Sequence, residues 1–197
     1  MVIWNGKHLI GTSPKCARRS IVAWGEENGF VQLGDADVKK IEEATAIYLV
    51  RNPNGRLPKQ IQTVTKRFAS AVGKEPMTQW QDTEELLRET IEDEPKDWYN
   101  IDPVNLQKQS SASERYKNID WTFVKLDDFS DWATNNGYEG FELFAENADP
   151  ELIALINFFI EECEVENLYK EDFTLYRSLS CILYQHLLVI ILNVKMQ

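Results

Sequence analysis

The sequence contains few of the residues that build metal sites and disulfide frameworks. Its three cysteines, Cys16, Cys163 and Cys181, lie far apart and form no C-x-x-C pair, which argues against zinc sites and redox motifs. The two histidines, His8 and His186, lie near opposite ends of the chain. These patterns predict a reduced intracellular protein, of the cytoplasm or the nucleus, with no metal and no cofactor.

Long hydrophobic runs are also absent. Residues 187–192 are six apolar residues in a row, but polar neighbours interrupt this run well before the ~20 residues that a membrane helix needs. The amino-terminal residues lack the uninterrupted apolar region of a secretory signal. We therefore expect neither membrane attachment nor export.

Catalytic motifs are missing as well. The sequence contains no Walker loop, dinucleotide-binding glycine motif, zinc-protease motif or nucleophile elbow. Adjacent carboxylates such as Asp127 and Asp128 diverge by about 100° on a helix, so they do not share a proton. The sequence predicts no catalytic residues, and a binding protein rather than an enzyme.

Charge is abundant and unevenly distributed over the 197 residues. Residues 1–90 hold 13 Lys and Arg against 11 Asp and Glu, whereas residues 91–197 hold 8 against 21. The apolar content of 43% is that of a globular protein. We expect an α/β domain over residues 1–92, a polar linker over residues 93–118 and an acidic, mainly α-helical domain over residues 119–197.

The first elements follow from apolar runs and their breakers. The apolar residues 2–10 predict one strand that ends at Gly11 and Thr12. Ser13 and Pro14 then suit the N-cap and the first position of a helix. The dipeptide Asn28-Gly29 suits the end of that helix.

The next elements complete an alternating pattern. Residues 30–33 predict a short strand, residues 44–50 (ATAIYLV) predict a buried central strand, and residues 51–56 predict a loop. A second helix, a last strand and a third helix are expected over residues 61–73, over residues 76–80 and from Asp82. The resulting order, β-α-β-β-α-β-α, predicts a parallel sheet that helices cover on both faces.

This order and several of its residues resemble a BRCT domain, and most of all the subtype in bacterial NAD-dependent DNA ligases and in the large subunit of the clamp loader. The matching positions are Gly11, Thr12, Arg18, Arg19, Gly29, residues 45–50, Thr65, Lys66, Gly73 and residues 76–78. The family has a Trp in its third helix, where Leu86 or Leu87 stands here. The resemblance implies a role in DNA repair or replication.

The resemblance also implies a phosphate site. In BRCT domains that bind phosphopeptides, a small hydroxyl residue and a backbone N–H after the first strand hold the phosphate together with a Lys of the second helix. These roles carry over to Thr12 or Ser13, to Gly11 and to Lys66. The alternative is that Ser13 is a simple N-cap and Lys66 a solvated surface residue.

A wider basic surface accompanies this site. The sequence places cations at Lys15, Arg18, Arg19, Arg51, Arg56, Lys59, Lys66, Arg67 and Lys74. Such a surface is expected to contact the backbone of a nucleic acid without reading its sequence. The alternative is that these charges balance the acidic half, within one chain or in a homodimer.

The second half combines helical patterns with acidic charge. Asp127 or Asp128 is expected to begin a helix that ends at Asn136-Gly137, and Asp172 to begin the last helix. Residues 139–172 hold 11 Asp and Glu against one Lys. The residues expected to form an acidic surface for a partner are Glu161, Glu162, Glu164 and Glu166.

Two functions fit this sequence. The first is a non-enzymatic adaptor whose first domain engages DNA or a phosphorylated or acidic protein, while the acidic half contacts a second protein. The alternative is an acidic inhibitor that mimics DNA and blocks a nucleic-acid-binding enzyme or a toxin.

Overall fold

The computed structural model describes residues 1–60, 63, 108–144 and 169–179. Within these residues, five strands form one sheet: β1 (Val2–Trp4), β2 (His8–Thr12), β3 (Val31–Leu33), β4 (Thr45–Val50) and β5 (Thr122–Lys125). Their order across the sheet is β3-β1-β2-β4-β5. The predicted strand over residues 76–80 and the predicted helices over residues 61–73 and from Asp82 lie outside the described residues, apart from residue 63, which is helical.

Helices connect these strands. The longer ones are α1 (Arg18–Glu27), α3 (residues 53–60), α5 (Phe129–Asn135) and α6 (residues 170–179), and the short ones are α2 (Asp35–Val38) and α4 (Gln109–Ala112). Turns of 3-10 helix cover Ser113–Tyr116 and Leu126–Asp128. None of the helices in the described ranges has both the length and the apolar content that crossing a bilayer requires.

The first apolar run forms a hairpin, so the prediction of a single strand over residues 2–10 is wrong. The side-chain oxygen of Asn5 accepts hydrogen bonds from the N–H groups of Lys7 and His8, at 3.1 and 2.8 Å, and Gly6 has a φ of 90°. An Asn-Gly pair favours this reversal because both residues tolerate turn conformations. The chain therefore folds back, and Trp4 pairs with Leu9.

This hairpin makes the sheet mixed, which corrects the predicted parallel sheet. β1 runs antiparallel to both of its neighbours, β2 and β3. β2, β4 and β5 are parallel to one another, with Thr12 opposite Leu49 and Val50 opposite Lys125. The carboxyl ends of these three strands therefore meet at one edge of the sheet.

The start of α1 differs from the prediction. The helix begins at Arg18, after an N-cap at Ala17 that has a φ of 52° and makes no side-chain capping bond. Ser13 and Pro14 do not begin it, because the Ser13 hydroxyl contacts the Cys16 thiol instead of capping a helix. The predicted end is confirmed, since Gly29 follows the helix with a φ of 76°.

Residues 51–56 were predicted to be a loop, but α3 begins within them. The Asn52 side chain accepts a hydrogen bond from the N–H of Asn54 at 3.1 Å, and Pro53 is the first helical residue. An Asn cap followed by Pro is a strong start signal for a helix. This signal outweighs the helix-weakening effect of Gly55.

The buried central strand is confirmed, and the second half adds a strand to it. β4 pairs with β2 on one side and with β5 on the other. β5 lies in the region predicted to be mainly helical, so that description is corrected to include a strand. The helix expected to end at Asn136-Gly137 is confirmed as α5, although the Asp128 side chain makes no capping bond.

The sheet buries a core on each face, because alternate side chains of a strand point to opposite sides. We call the larger core the apolar cluster; it comprises Ile3, Ile10, Ile21, Trp24, Phe30, Ile47, Leu49, Leu126, Phe129, Ala133 and Phe141. The division into two domains stays a prediction, and residues 126–141 share this core with α1.

The other face packs around aromatic rings. Tyr48 meets Trp121 edge to face, with 5.4 Å between ring centroids, and Tyr48 and Val50 also contact side chains of α6. Gly11 lies directly beneath, and a Cβ atom there would stand 2.7 Å from Tyr48 Cδ2 and 2.9 Å from Trp121 Cη2. This position therefore requires glycine for packing reasons.

Candidate anion-binding site

The strand-end loop, residues 13–17, follows β2 at the edge where the parallel strands end. Two of its residues, Lys15 and Ala17, have φ values of 65° and 52°. This left-handed region is unfavourable for residues with a Cβ atom. Local strain of this kind persists only where surrounding contacts hold the chain in place.

A buried group of polar side chains fixes the loop. We call it the polar hub; it comprises the side chains of Cys16, Arg56, Gln109 and Asp172, and it bonds to the backbone of Arg51. Arg56 and Asp172 form a salt bridge with 3.3 Å between Nη1 and Oδ2, and each side chain is only 1% exposed. Arg56 Nε also donates to the Pro14 carbonyl oxygen at 3.1 Å. A buried charge pair of this kind persists when further hydrogen bonds satisfy its remaining donors and acceptors.

Asp172 and Gln109 supply those further bonds. The Asp172 carboxylate accepts hydrogen bonds from the backbone N–H groups of Gln109 and Ser110, with N–O distances of 2.9 Å. The Gln109 side chain accepts the N–H of Arg51 at 2.7 Å and donates to its carbonyl oxygen at 2.8 Å. Asp172 was predicted to begin the last helix, but α6 begins before it and its carboxylate instead caps α4.

Three cationic residues lie close together beside the polar hub. We call Lys15, Arg51 and Lys59 the cation cluster. Arg51 Nη1 donates to the Lys15 carbonyl oxygen at 3.1 Å, and the Arg51 side chain passes over Gly55, whose Cβ position lies 3.7 Å from Arg51 Nε. Partial burial, and then the charges of Arg51 and Lys15, lower the pKa of Lys59. Mutually repelling cations of this kind are stabilised by a bound anion.

The electrostatics of the cation cluster favour a compact ligand. Its three residues come from the strand-end loop, from the end of β4 and from α3, and all three are partly exposed. The nearest acidic member of the polar hub, Asp172, is already paired with Arg56. The three residues therefore lie around one place at this edge of the sheet rather than along its length.

Four of the residues predicted to hold a phosphate are buried. Gly11 lies within β2 and pairs with Val2 and Tyr48. Thr12 Oγ1 lies 3.2 Å from the carbonyl oxygens of Ser13 and Cys16, and Ser13 Oγ lies 3.1 Å from Cys16 Sγ. Arg56 is the fourth, and it faces Asp172. In this structure these four groups support the loop from within rather than facing a partner.

The remaining predicted site residues that the structure describes are not buried with these four groups. Arg18 and Arg19 are exposed on the first turn of α1, and Arg18 helps to lower the pKa of the Met1 amine, after the larger effect of burial. Lys59 belongs to the cation cluster. The other predicted site residues, Lys66, Arg67, Glu161, Glu162, Glu164 and Glu166, lie outside the described residues.

The residue types that bind metals are not gathered anywhere in the described ranges. No group of three His, Cys, Asp or Glu side chains there is placed to hold a metal ion. His8 is buried, and its Nδ1 lies 2.5 Å from the hydroxyl of Tyr138, which also accepts a hydrogen bond from Asn5 at 2.7 Å. His8 therefore joins the β1–β2 turn to the segment that follows α5.

Sequence reasoning missed two members of the polar hub, Gln109 and Asp172. Gln109 lies in a polar stretch that was assigned to the linker, and no local pattern distinguishes it from its neighbours. The sequence places Asp172 at the start of a helix and within the acidic stretch, and no local pattern marks it as the partner of Arg56. Both acquire their roles through contacts with residues more than fifty positions away.

Comparison of the chain with protein-family models, with curated proteins and with solved structures finds no match. The proposal for its function therefore rests on the side-chain chemistry of this chain, together with the BRCT resemblance that its sequence predicts.

Proposed function

We propose that the protein is a non-enzymatic intracellular adaptor whose BRCT-like domain binds a phosphate monoester through the cation cluster of Lys15, Arg51 and Lys59. The observation that carries this proposal is the convergence of these three charges at the carboxyl ends of β2 and β4. Crevices at the carboxyl ends of parallel strands are common ligand sites. The second contact, with another protein, is assigned to the acidic residues from Glu161 to Glu166.

The order of elements supports the BRCT-like assignment. The described chain contains β2-α1-β3-β4-α3 in the predicted order, followed later by β5 and α5. α5 carries Trp132, whose ring stacks on Phe129 with 5.6 Å between centroids. The resemblance implies a Trp in the third helix; the sequence predicts that helix from Asp82, outside the described residues, and we assign its role to α5 instead. The antiparallel β1 departs from the predicted arrangement.

A phosphate monoester suits this site better than the continuous backbone of a duplex. A terminal phosphate carries nearly two negative charges and three acceptor oxygens in a small volume, which matches three cations that converge. Arg51 offers a planar pair of donors, whereas the two lysines act as point charges. The two sources of such a group are a 5′-phosphorylated DNA end and a phosphorylated protein.

Fluorescence anisotropy of the full chain tests the proposal. The probes are a short DNA duplex with a 3′ dye, with and without a 5′ phosphate, and a labelled phosphoserine peptide with its unmodified counterpart. We expect binding that requires the phosphate and weakens as salt increases. The preference between the two probes identifies the source of the phosphate.

The matched variants are Arg51→Gln with Lys59→Gln, and Lys7→Gln with Lys39→Gln. The first pair should weaken phosphate-dependent binding by at least about tenfold, since each charge-assisted hydrogen bond contributes about 1.5–3 kcal/mol. The second pair makes the same change in net charge at the opposite end of β2 and β4 and should leave binding unchanged. Equal losses from both pairs, or equal binding with and without phosphate, would contradict the proposal.

A further inference from the structure

Gln109 takes the place of a strand partner at the end of β4. The ladder between β4 and β5 ends where Val50 pairs with Lys125. At the next residue, Arg51, the Gln109 amide makes the two hydrogen bonds that a neighbouring backbone would make, at 2.7 and 2.8 Å. The Gln109 side chain is fully buried. The backbone direction at Arg51 is therefore set by a side chain from a distant segment.

The same amide also holds the strand-end loop. The Cys16 thiol donates to Gln109 Oε1 at 3.0 Å, and Cys16 directly follows Lys15. Arg51 is also bonded directly to this loop, because its guanidinium donates a hydrogen bond to the Lys15 carbonyl oxygen. One oxygen atom of Gln109 thus connects the two segments that carry Lys15 and Arg51.

Asp172 fixes the orientation of Gln109. Its two carboxylate oxygens accept the N–H groups of Gln109 and Ser110, and Arg56 holds the carboxylate from the other side. α4 has only four residues, so its own hydrogen bonds give it little stability. The position of Gln109 therefore depends on α6.

We propose that Gln109 is a positioning residue that sets the separation between Lys15 and Arg51, and that Asp172 holds Gln109 in the position from which it does so. This inference rests on the proposed function of the cation cluster. Gln109 does not touch the phosphate itself; it acts through Arg51 and through the loop that carries Lys15. Binding sites need this support because a cluster that is held loosely loses its geometry.

The test measures phosphate-dependent binding, with the probe that the wild-type protein prefers, for Gln109→Met, Arg51→Gln and the double variant. Met has a similar volume and makes none of the three hydrogen bonds. We expect Gln109→Met to weaken binding by about tenfold but by only about twofold to threefold in the Arg51→Gln background, because there only its effect on the loop that carries Lys15 is left to lose. Ser110→Ala, which keeps the backbone N–H, should bind like the wild type.

Each outcome separates the inference from the proposed function. If the wild-type chain shows no phosphate-dependent binding, the proposed function fails and this inference fails with it. If the wild type binds and Gln109→Met binds equally well, only the inference fails. Losses that add fully in the double variant would show a general weakening of the fold and would also overturn it.

A second variant covers the case in which Gln109→Met does not fold, which circular dichroism and thermal unfolding would reveal. Cys16→Ala removes the link between Gln109 and the strand-end loop but keeps both bonds to Arg51. A thiol is a weak donor, so we expect binding to weaken by only about twofold to threefold. Unchanged binding by Cys16→Ala would then overturn the inference.

Discussion

The apolar cluster and the polar hub lie in one molecule but are stabilised in different ways. Trp24 of the apolar cluster meets Phe129 edge to face, with 4.9 Å between ring centroids, and it packs against other members of the cluster as well. Each pair of contacting atoms contributes only ~0.1–0.2 kcal/mol. Asp172 of the polar hub depends on three donors. A packing core therefore loses stability gradually when atoms are removed, whereas a buried charge that loses its partner is destabilised in one step.

The largest effect is expected for Asp172→Ala. This substitution leaves the Arg56 guanidinium buried without its carboxylate and uncaps Gln109, so we expect the free energy of unfolding to fall by about 3–5 kcal/mol. Arg56→Met should cost less, because the Asp172 carboxylate keeps its two backbone donors. Urea unfolding measures both values.

The matched control for Asp172 is its neighbour Glu171. Glu171 forms an exposed pair with Lys108 at 2.8 Å, and exposed pairs contribute little. Glu171→Gln should therefore leave the unfolding midpoint nearly unchanged. If Asp172→Ala were as harmless as Glu171→Gln, the polar hub would not be a stabilising centre.

Gly11→Ala should have the next largest effect. The added Cβ atom would overlap the rings of Tyr48 and Trp121, and overpacking of this kind costs about 1–3 kcal/mol. Gly34→Ala is the control, because its Cβ position meets only Asp37 Oδ2, at 3.8 Å. Thermal unfolding of both variants measures the difference, and equal midpoints would mean that the aromatic face adjusts more readily than the structure indicates.

Ile21→Val should have a smaller effect. Ile21 lies in the apolar cluster and is fully buried, and removal of one methyl group from such a site costs about 0.5–1.5 kcal/mol. The exposed Val31, changed to Thr, serves as the control and should be near neutral. Urea unfolding measures both variants. If Ile21→Val lowered the free energy of unfolding as much as Asp172→Ala does, the distinction between the apolar cluster and the polar hub would be lost.

The smallest effect is expected from His8 and depends on pH. Burial, together with a lesser effect of the Lys7 charge, lowers the pKa of His8. The unfolded chain therefore takes up the proton first, so the contribution of His8 to stability is complete above about pH 6.5 and decreases as the pH falls below that value. Unfolding midpoints measured from pH 7 to pH 5 should fall less for His8→Gln than for the wild type. Parallel curves would contradict this assignment.

Local signals predicted part of this fold correctly. The run of apolar residues in β4 predicts a buried strand. The Asn-Gly pairs after α1 and α5 predict the ends of these helices, because glycine readily adopts the left-handed conformation found there. The hairpin at Asn5 and the start of α3 at Pro53 also carry recognisable local signals, but the prediction gives more weight to the apolar run over residues 2–10 and to the loop-like composition of residues 51–56. The parallel character of the sheet was wrong because one unrecognised turn inserted an antiparallel strand.

The candidate site was less accessible to prediction. Lys15, Arg51 and Lys59 were noted as part of a broad basic surface, but only the fold brings these three together. The burial of Thr12 and Ser13 depends on Cys16 and on the strained conformation of the strand-end loop. The roles of Gln109 and Asp172 arise from long-range pairing, which no local propensity encodes.

The salt bridge between Arg56 and Asp172 has a consequence for the newly made chain. The two residues are 116 positions apart in the sequence. At a synthesis rate of about 5–20 residues per second, Arg56 is incorporated ~6–23 s before Asp172. The buried Arg56 cation next to β4 therefore receives this counter-charge only after the segment that carries Asp172 has been made. A chain cut before residue 172 would leave the Arg56 guanidinium without this carboxylate.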